Sequence, residues 1–438
     1  MYLKRKIDRV LREKHRSPLL IEGSKHIGKT ESVRKFAKEN YGSFIEMDFV
    51  RNYDYKSIRR LMFDVESIKK SISIMKPSVK FIDNDTLIFF DEIQACPEVM
   101  EAVRLLKEDG RYDVICTSSE LGFYESYNMY SIDFEEFLWA KGYDESIADS
   151  ILEHMINSEP FSDAEYKTYT ELFNEYILLG SMPEIVADYI ENDSFEDIFR
   201  MQAKKLQRQR EYIFDYSFKY DGMKVLSVYD RVHRQIANDN RKFNLSEVDK
   251  GARTREFTDR IRWLEKEGAV LRCNGLKSPE FPIKDNISEK NFRLYISDTG
   301  MLISSFDESF REYLRENRKS GDFGNGVYKN IVAEALTKQG LPLAFYRKTN
   351  STLEADFLVE SGRHIVPIEV KATNGHAKSM QLLVNGEQYR DIEFGIKLTN
   401  GNIESKKVEK TGLKKNNIYT FPYFTAFLIK RFLDENNK

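Results

Sequence analysis

The sequence predicts an α/β protein whose N-terminal part is a parallel sheet with helices on both faces. Short apolar segments alternate with amphipathic helical segments through the first 140 residues, which is typical of such a sheet. The segment TLIFFDE (86–92) is almost continuously apolar, as expected for a strand buried on both faces. A turn that contains two glycines connects the strand segment PLLIE (18–22) to a helical segment. Together these observations favour a parallel arrangement over an antiparallel one.

The elements of this first part follow one another in a regular order. Strands are predicted at 18–22, 43–49, 86–92 and 112–119, and helices at 30–41 and 97–110. From about 145 to 220 the pattern is helical, interrupted by LLGSMPE (178–184). We expect a core at 1–145 and a helical segment resembling a lid at 146–221.

Residues 222–305 are predicted to form a winged helix-turn-helix. Three helical segments, at 223–238, 245–249 and 252–268, precede two strand segments at 269–275 and 293–298. In the third helix, Phe257, Ile261 and Leu264 share one face. The last part, 306–438, has one helical segment followed by strands and is predicted to be a separate α/β domain.

Composition restricts the class of protein. The 438 residues are enough for two or three domains, and their net charge of −3 indicates no overall attraction to nucleic acid. Three widely spaced cysteines favour a reducing compartment and argue against a zinc site. No apolar run reaches 18 residues, so we expect a cytoplasmic protein without membrane contact.

Residues 23–30 match the pattern G-x-x-x-x-G-K-[ST] at every fixed position, between a strand and a helix. Glycines let backbone N–H groups turn toward a phosphate, the lysine adds a positive charge, and the threonine hydroxyl is suited to Mg²⁺. The alternative is a simple structural turn. The predicted nucleotide-binding residues are Gly23, Ser24, Lys25, His26, Ile27, Gly28, Lys29, Thr30 and Glu31.

Acidic and hydroxyl residues end the two later strands. Asp91 is a candidate Mg²⁺ ligand together with Thr30, and Glu92 is a candidate for activating the attacking water. Thr117, Ser118 or Ser119, at the end of the next strand, could sense the γ-phosphate, and the alternative is a strand cap. Arg208 and Arg210 are candidates for completing the site from a neighbouring subunit or as part of a late helix, or are ordinary surface charges.

The C-terminal part contains a second possible site. Glu334 on a helix, Asp356 on a strand, and Glu369 with Lys371 on the following strand match the spacing of PD-(D/E)xK nucleases. Alternation places Glu369 and Lys371 on one face of their strand, where carboxylates could bind Mg²⁺ and the lysine could activate water. A surface ion-pair cluster is the alternative, and Ala355 stands where the motif has proline.

The middle module is locally basic. Residues 201–272 contain 17 lysines and arginines and 11 acidic residues, a net charge of 17 − 11 = +6. Arg253, Arg255 and Arg262 lie on or before the third helix of this module, where they could contact DNA. The alternative is that the winged helix packs on the nucleotide domain as a lever.

The ordered motifs resemble a known family. LLIEGSKHIGKTE, LIFFDEIQACPE, DGRYDVICTSS, SIDFEEFLWAKG, LLGSMPEIV, LYISDTGML and VPIEVKA resemble AAA+/STAND ATPases, and more narrowly the bacterial and archaeal ATPases that carry a C-terminal DUF4143 domain. The resemblance implies a P-loop NTPase sheet of AAA+ type, a winged helix, a restriction-endonuclease-like C-terminal domain, and ATP and Mg²⁺ as cofactors. This sequence differs at 24–26, at Ser118 and at Ser181.

Two functional hypotheses follow. The first is a Mg²⁺-dependent ATPase whose nucleotide state moves the winged helix and the nuclease-like domain, with DNA as a candidate substrate. The second is a signalling or scaffolding switch that binds ATP, turns over slowly and cleaves nothing. A homo-oligomer or an unidentified protein partner is compatible with both.

Overall fold

A computed structural model describes residues 1–13, 17–52, 54–56, 64–120, 126–237, 243, 248, 254–317, 323–371, 378–404 and 418–437. The chain divides into two compact units. One comprises Tyr2–Ile132 with Lys266–Gly268, and the other Asp133–Glu265 and Ala269–Lys438 with Met1. The main division lies between Ile132 and Asp133, earlier than the boundary expected after residue 145. The four-part division predicted from the sequence stays a prediction.

The first unit contains the predicted alternation of strands and helices. Its strands are β1 (Leu19–Glu22), β2 (Ser43–Asp48), β3 (Thr86–Asp91), β4 (Asp113–Ser118) and β5 (Tyr127–Asn128). Its helices are α1 (Ile7–Arg12), α2 (Lys29–Asn40), α3 (Val65–Met75) and α4 (Val99–Asp109). Gly110, in the left-handed conformation with φ 72°, ends α4 as predicted.

The five strands form one sheet in the order β2-β3-β4-β1-β5, and all four neighbouring pairs are parallel. The predicted parallel α/β fold is therefore confirmed. Side chains alternate between two buried clusters: Phe90 belongs to the cluster with α3 and α4, and Phe89 to the cluster with α1 and α2. Burial on both faces explains why 86–91 reads as an uninterrupted apolar run.

The second unit begins with helices. They are α5 (Phe134–Ala140), α6 (Ile147–Asn157), α7 (Asp163–Leu179), α8 (Pro183–Asn192), α9 (Phe195–Tyr216), α10 (Gly222–Ala237) and α11 (Thr254–Lys266). Side-chain caps at Asp133 and Ser162, each completed by a glutamate three residues later, fix the beginnings of α5 and α7.

The same unit continues with β6 (Val270–Leu276), β7 (Ile287–Ile296), α12 (Thr299–Ser304), α13 (Glu308–Glu316) and α14 (Asn325–Lys338). It ends with β8 (Ala344–Arg347), β9 (Glu354–Ser361), β10 (His364–Lys371), α15 (Lys378–Asn385), β11 (Gly395–Thr399), β12 (Ile418–Pro422) and α16 (Ile429–Asn436). No helix in the described ranges is long and apolar enough to cross a membrane.

Seven strands form a mixed sheet in the order β12-β11-β10-β9-β8-β6-β7. Strands β6 and β7 pair antiparallel after α11, which is the hairpin expected of a winged helix. However, β6 also pairs in parallel with β8, so this hairpin and the C-terminal strands share one sheet. The second predicted helix of the module, at 245–249, lies almost entirely outside the described residues, and the winged helix stays a prediction.

Candidate nucleotide site and C-terminal cluster

The predicted phosphate loop connects the end of β1 to the beginning of α2. Gly23, His26 and Gly28 all have positive φ angles, of 157°, 65° and 95°. At Gly23 a Cβ atom would lie 2.2 Å from the backbone oxygen of Met129, so a side chain would not fit there. The N–H of Gly23 donates to the carbonyl of Ser118 at 3.1 Å, which holds the start of the loop against the end of β4.

Lys29 is buried within this loop. Its Nζ donates to the carbonyl oxygens of Gly23 (2.7 Å) and Ser24 (3.0 Å) and to the Ser119 hydroxyl (3.2 Å), and lies 3.7 Å from a Glu92 oxygen. Burial, partly offset by Glu92 and Asp91, lowers the pKa of Lys29. The ammonium group is thus inside the loop, where a phosphate would approach it.

Thr30 and Asp91 are in contact although they are 61 positions apart in the sequence. The Thr30 hydroxyl donates to Asp91 Oδ2 at 2.9 Å, and the Thr117 hydroxyl donates to Asp91 Oδ1. Burial raises the pKa of Asp91 to about 6 despite both hydrogen bonds, with smaller contributions from Glu92 and Asp48. The carboxylates of Asp48, Asp91 and Glu92 repel one another, and Asp91 is largely shielded from solvent. This concentration of negative charge would favour a bound cation.

Glu92 has its backbone in the left-handed region, at φ 58° and ψ 53°. The Ser119 hydroxyl lies 2.7 Å from Oε1 and 2.6 Å from Oε2 of Glu92, and Gln94 Nε2 donates to Oε2 at 2.5 Å. Although burial acts to raise the pKa of Glu92, the charge of Lys29 and these hydrogen bonds outweigh it and lower the pKa. The carboxylate is therefore held ionised and oriented.

The other predicted loop residues have different surroundings. Ile27 is buried in the core under the loop, while His26 is exposed and Ser24 and Lys25 are partly exposed. Glu31 points away and pairs with Arg34 at 2.7 Å on the surface. The carboxylate of Glu31 is therefore engaged on the helix surface, whereas Lys29 and Thr30 contact the acidic end of β3.

Of the three sensor candidates, Thr117 contacts Asp91, but Ser118 does not contact the acidic pair. The Ser118 hydroxyl donates to the backbone oxygen of Glu120 at 2.9 Å. The next residue, Ser119, contacts both Lys29 and Glu92 instead. The alternation of side chains along a strand separates Ser119 from Ser118 in this way.

Arg5 and Gln94 were missed entirely. The Arg5 guanidinium donates to the carbonyls of Ile27 (2.8 Å) and Tyr130 (2.6 Å), so it connects the phosphate loop to the segment after β5. Gln94 lies two residues beyond Glu92 in a short 3-10 turn. The spacing of Gln94 from Glu92 was visible in the sequence, whereas nothing in the sequence connects Arg5 to the loop.

In the C-terminal sheet, Asp356, Glu369 and Lys371 come together. The N–H of Val370 donates to Asp356 Oδ2 at 3.0 Å, and Lys371 Nζ lies 3.0 Å from Glu369 Oε1. Burial, reinforced by Asp356 and opposed by Lys371, raises the pKa of Glu369. The register aligns Glu369 with Lys397 of β11.

Two further cations contact Asp356. Lys329 of α14 lies 3.1 Å from Asp356 Oδ1, and Arg293 of β7 lies 3.8 Å from the same oxygen. Helix α14 therefore brings Lys329, and not the predicted Glu334, to Asp356. Among the described residues no group of three or more His, Cys, Asp or Glu side chains is arranged to hold a metal ion.

Glu334, the fourth predicted nuclease residue, belongs to a different network. Its Oε2 accepts hydrogen bonds from the N–H (2.9 Å) and hydroxyl (2.6 Å) of Thr299, and its Oε1 pairs with Lys338 at 2.7 Å. Lys338 also donates to Tyr176 at 3.1 Å. These contacts join α14 to α12 and α7, so Glu334 has the contacts of a structural residue.

The three arginines proposed to contact DNA are only partly described. Arg253 and the side chain of Arg255 lie outside the described residues. Arg262 is exposed on α11, 3.8 Å from Asp259. Of the two arginines considered for completing the nucleotide site, Arg210 pairs with Asp230 of α10, and Arg208 is exposed.

Comparison with protein families gives three matches. An AAA domain matches residues 15–138, a domain of unknown function, DUF8612, matches 170–309, and another, DUF4143, matches 325–419. The first match contains the phosphate loop and the acidic end of β3. The third contains Glu334, Asp356, Glu369 and Lys371. The sequence comparison with curated proteins gives no match.

Among solved structures, one similar to this chain is a Walker-type ATPase of Pyrococcus abyssi, with 14% identity, a TM-score of 0.39, and coverage of 69% of this chain and 96% of that one. Another is DnaA from Aquifex aeolicus bound to AMPPCP, with 14% identity, a TM-score of 0.26, and coverage of 60% and 86%. These scores are too low to support any functional statement.

Proposed function

We propose that this chain, which belongs to the family that joins an AAA domain to a DUF4143 domain, binds ATP with Mg²⁺ and hydrolyses it. The observation that carries the proposal is the 2.9 Å hydrogen bond between Thr30 and Asp91. It brings the end of the phosphate loop to the acidic end of β3, which is the pairing that nucleotide hydrolysis in this class of fold requires.

The residues at this point fit a magnesium ion. Mg²⁺ prefers oxygen ligands and binds through one or two carboxylates together with phosphate oxygens. The Thr30 hydroxyl and the Asp91 carboxylate provide such oxygens, and burial raises the pKa of Asp91 to about 6, which indicates an anion that a cation would stabilise. Bound there, Mg²⁺ would neutralise charge on the β- and γ-phosphates.

Lys29 and Glu92 have the remaining roles. Lys29 would leave the carbonyl oxygens of Gly23 and Ser24 and pair with the β- and γ-phosphates. Glu92, held ionised by Lys29 and Ser119, would accept a proton from the attacking water. Asp48 is aligned with Asp91 on the neighbouring strand and adds negative charge beside the metal position.

Two variants should distinguish the loss of ATP binding from the loss of ATP hydrolysis. We expect Lys29→Ala to lose ATP binding, and Glu92→Gln to keep ATP while hydrolysis falls by about 100-fold or more. Lys38→Ala, an exposed lysine on the same helix, is the matched control. The measurements are fluorescent-nucleotide titration and phosphate release with Mg²⁺ and with EDTA. Equal hydrolysis by all four proteins would refute the proposal.

For the C-terminal domain we propose the second hypothesis, a nucleotide-dependent switch without cleavage. It is supported by the ion pairs of Lys329 and Arg293 with Asp356 and by the separate network of Glu334. The competing nuclease hypothesis predicts that wild type with Mn²⁺ cuts single-stranded, duplex or branched DNA, and that Lys371→Ala does not. Cleavage that depends on Lys371 would reverse our choice.

A further inference from the structure

Three aromatic rings form a stack in the second unit. The Tyr216 and Tyr212 ring centroids are 4.5 Å apart with planes at 25°, and Tyr212 and Trp263 are 6.2 Å apart at 23°. The two tyrosines lie one turn apart at the end of α9, and the tryptophan lies on α11. The ring planes of both pairs are near parallel, and Tyr216 is the outer ring of the stack.

The outer end of the stack is exposed to an unusual degree. Tyr216 is 64% exposed, while Trp263 is partly buried. Phe214, Tyr220 and Met223 are also exposed, so four large apolar or aromatic side chains reach solvent within ten positions. Large apolar side chains that are exposed close together in the sequence indicate a candidate binding surface. The buried face of α9 is formed by other residues, including Ile198, Gln202 and Ile213.

Two positively charged residues precede the two tyrosines along the same side of α9. Lys204, Arg208, Tyr212 and Tyr216 follow one another at intervals of four residues, so neighbours in this row are adjacent on the helix surface. We call these four residues the α9 ridge. Lys204 and Arg208 are exposed, and neither makes an ion pair with any residue of the described ranges. The ridge therefore has two cations at one end and two stacked rings at the other.

The combination of stacked rings and neighbouring cations fits an unpaired nucleic-acid strand. Unpaired nucleobases stack on aromatic rings regardless of their identity, and the adjoining phosphates are attracted by lysine and arginine. A duplex would hide the base faces, so an unpaired strand fits the stack and a duplex does not. The +6 charge of 201–272, in a chain of −3, supports the attraction of a polyanion to this region.

We propose that the α9 ridge, with Trp263, binds single-stranded nucleic acid by stacking bases on Tyr216 and pairing phosphates with Arg208 and Lys204. The proposal is independent of ATP hydrolysis and of the cluster at Asp356, because it uses none of their residues. It also differs from the predicted DNA contact through Arg253, Arg255 and Arg262, because α9 provides most of the groups.

The test uses the full chain, without nucleotide and in EDTA, titrated into fluorescein-labelled (dT)20, (U)20 and a 20-base-pair duplex. We expect both single strands to bind more tightly than the duplex in 50 mM salt. Tyr216→Leu should weaken binding by about fivefold or more, while Tyr216→Phe, which keeps the ring, should bind as wild type does. Tyr313→Leu is the matched control, since Tyr313 is also exposed and stacks on Phe310.

Two further measurements decide the mechanism. Arg208→Ala should lower the slope of log affinity against log salt by about one, and Lys107→Ala, an exposed lysine of α4, should leave it unchanged. Binding of (dT)20 should quench the emission of Trp263, and Trp263→Phe should remove that quenching. Failure of both single strands to bind, or equal loss in the Leu and Phe variants of Tyr216, would overturn the proposal. So would Tyr216-dependent self-association of the chain without strand binding.

Discussion

The Ser119 hydroxyl lies within 2.7 Å of both carboxylate oxygens of Glu92 and accepts a hydrogen bond from Lys29 Nζ at 3.2 Å. One side chain thus connects the cation of the phosphate loop to the carboxylate proposed to activate water. When Lys29 pairs with the phosphates of a bound nucleotide, Ser119 and Gln94 still hydrogen-bond to the Glu92 carboxylate and orient it. Ser119 is in this sense a positioning residue.

We expect Ser119→Ala to lower ATP turnover about tenfold while ATP affinity changes by less than about threefold, because Glu92 would lose orientation but the loop would not. Ser118→Ala is the matched control, since the neighbouring hydroxyl bonds only the backbone around Glu120. Steady-state hydrolysis and nucleotide titration separate the two effects. A loss of affinity with unchanged turnover, or equal effects of both serines, would contradict this role.

Arg5 gives a second prediction. Its guanidinium bonds two carbonyls, at Ile27 and Tyr130, and a lysine has no planar fork to reach both. Arg5→Lys should therefore weaken ATP binding severalfold and lower the melting temperature of the apoprotein. Arg12→Lys, on the exposed side of α1, should change neither. If Arg5→Lys binds ATP normally, the connection is not needed to hold the loop.

Substitution of Glu334 tests whether this residue stabilises the fold or takes part in catalysis. It is buried with Lys338 and Thr299, so Glu334→Gln removes the carboxylate 2.7 Å from the buried Lys338 ammonium group and should lower the free energy of unfolding by about 3 kcal/mol. Glu312→Gln, which breaks a surface pair with Arg315, should cost less than about 0.5 kcal/mol. Urea unfolding measures both. Similar small losses would mean that the Glu334 pair contributes little to stability.

His233 predicts a pH dependence of stability. Burial, and then the charge of Arg210, lowers the pKa of His233 to about 3. Below about pH 6.5 the His233 imidazole takes up a proton in the unfolded chain but not in the native chain. The stability that the neutral His233 contributes is therefore complete above that pH and declines as the pH falls toward 3. The expected loss between pH 6.5 and pH 5 is about 2 kcal/mol.

Urea unfolding of wild type and His233→Leu across this pH range tests the expectation. The fall in the free energy of unfolding with decreasing pH should be much smaller in His233→Leu than in wild type, whatever the stability of the variant at neutral pH. His154→Leu, on α6, should retain the decline of wild type. An identical pH dependence in wild type and His233→Leu would show that other groups cause the acid sensitivity.

Much of the geometry of the candidate nucleotide site could be predicted because its residues lie in two short segments. The spacing of Gly23, Gly28 and Lys29 dictates the loop, and the polar end of a buried strand places Asp91 at the edge where the loop begins. The C-terminal cluster was predicted less well. Strand alternation brings Glu369 and Lys371 to one face, but the rotation of α14 decides that Lys329, rather than Glu334, reaches Asp356.

The sequence by itself determined the strand and helix segments of the parallel sheet, the predicted phosphate loop and the acidic pair at the end of β3, because each shows in a pattern of residues only a few positions apart. Tertiary structure alone decided that Ser119 contacts Glu92, that β6 joins β8, and that Tyr212 stacks on Trp263. The physical reason is that strand register and helix rotation set contacts between distant segments, and a shift of one residue in either turns a side chain to another face.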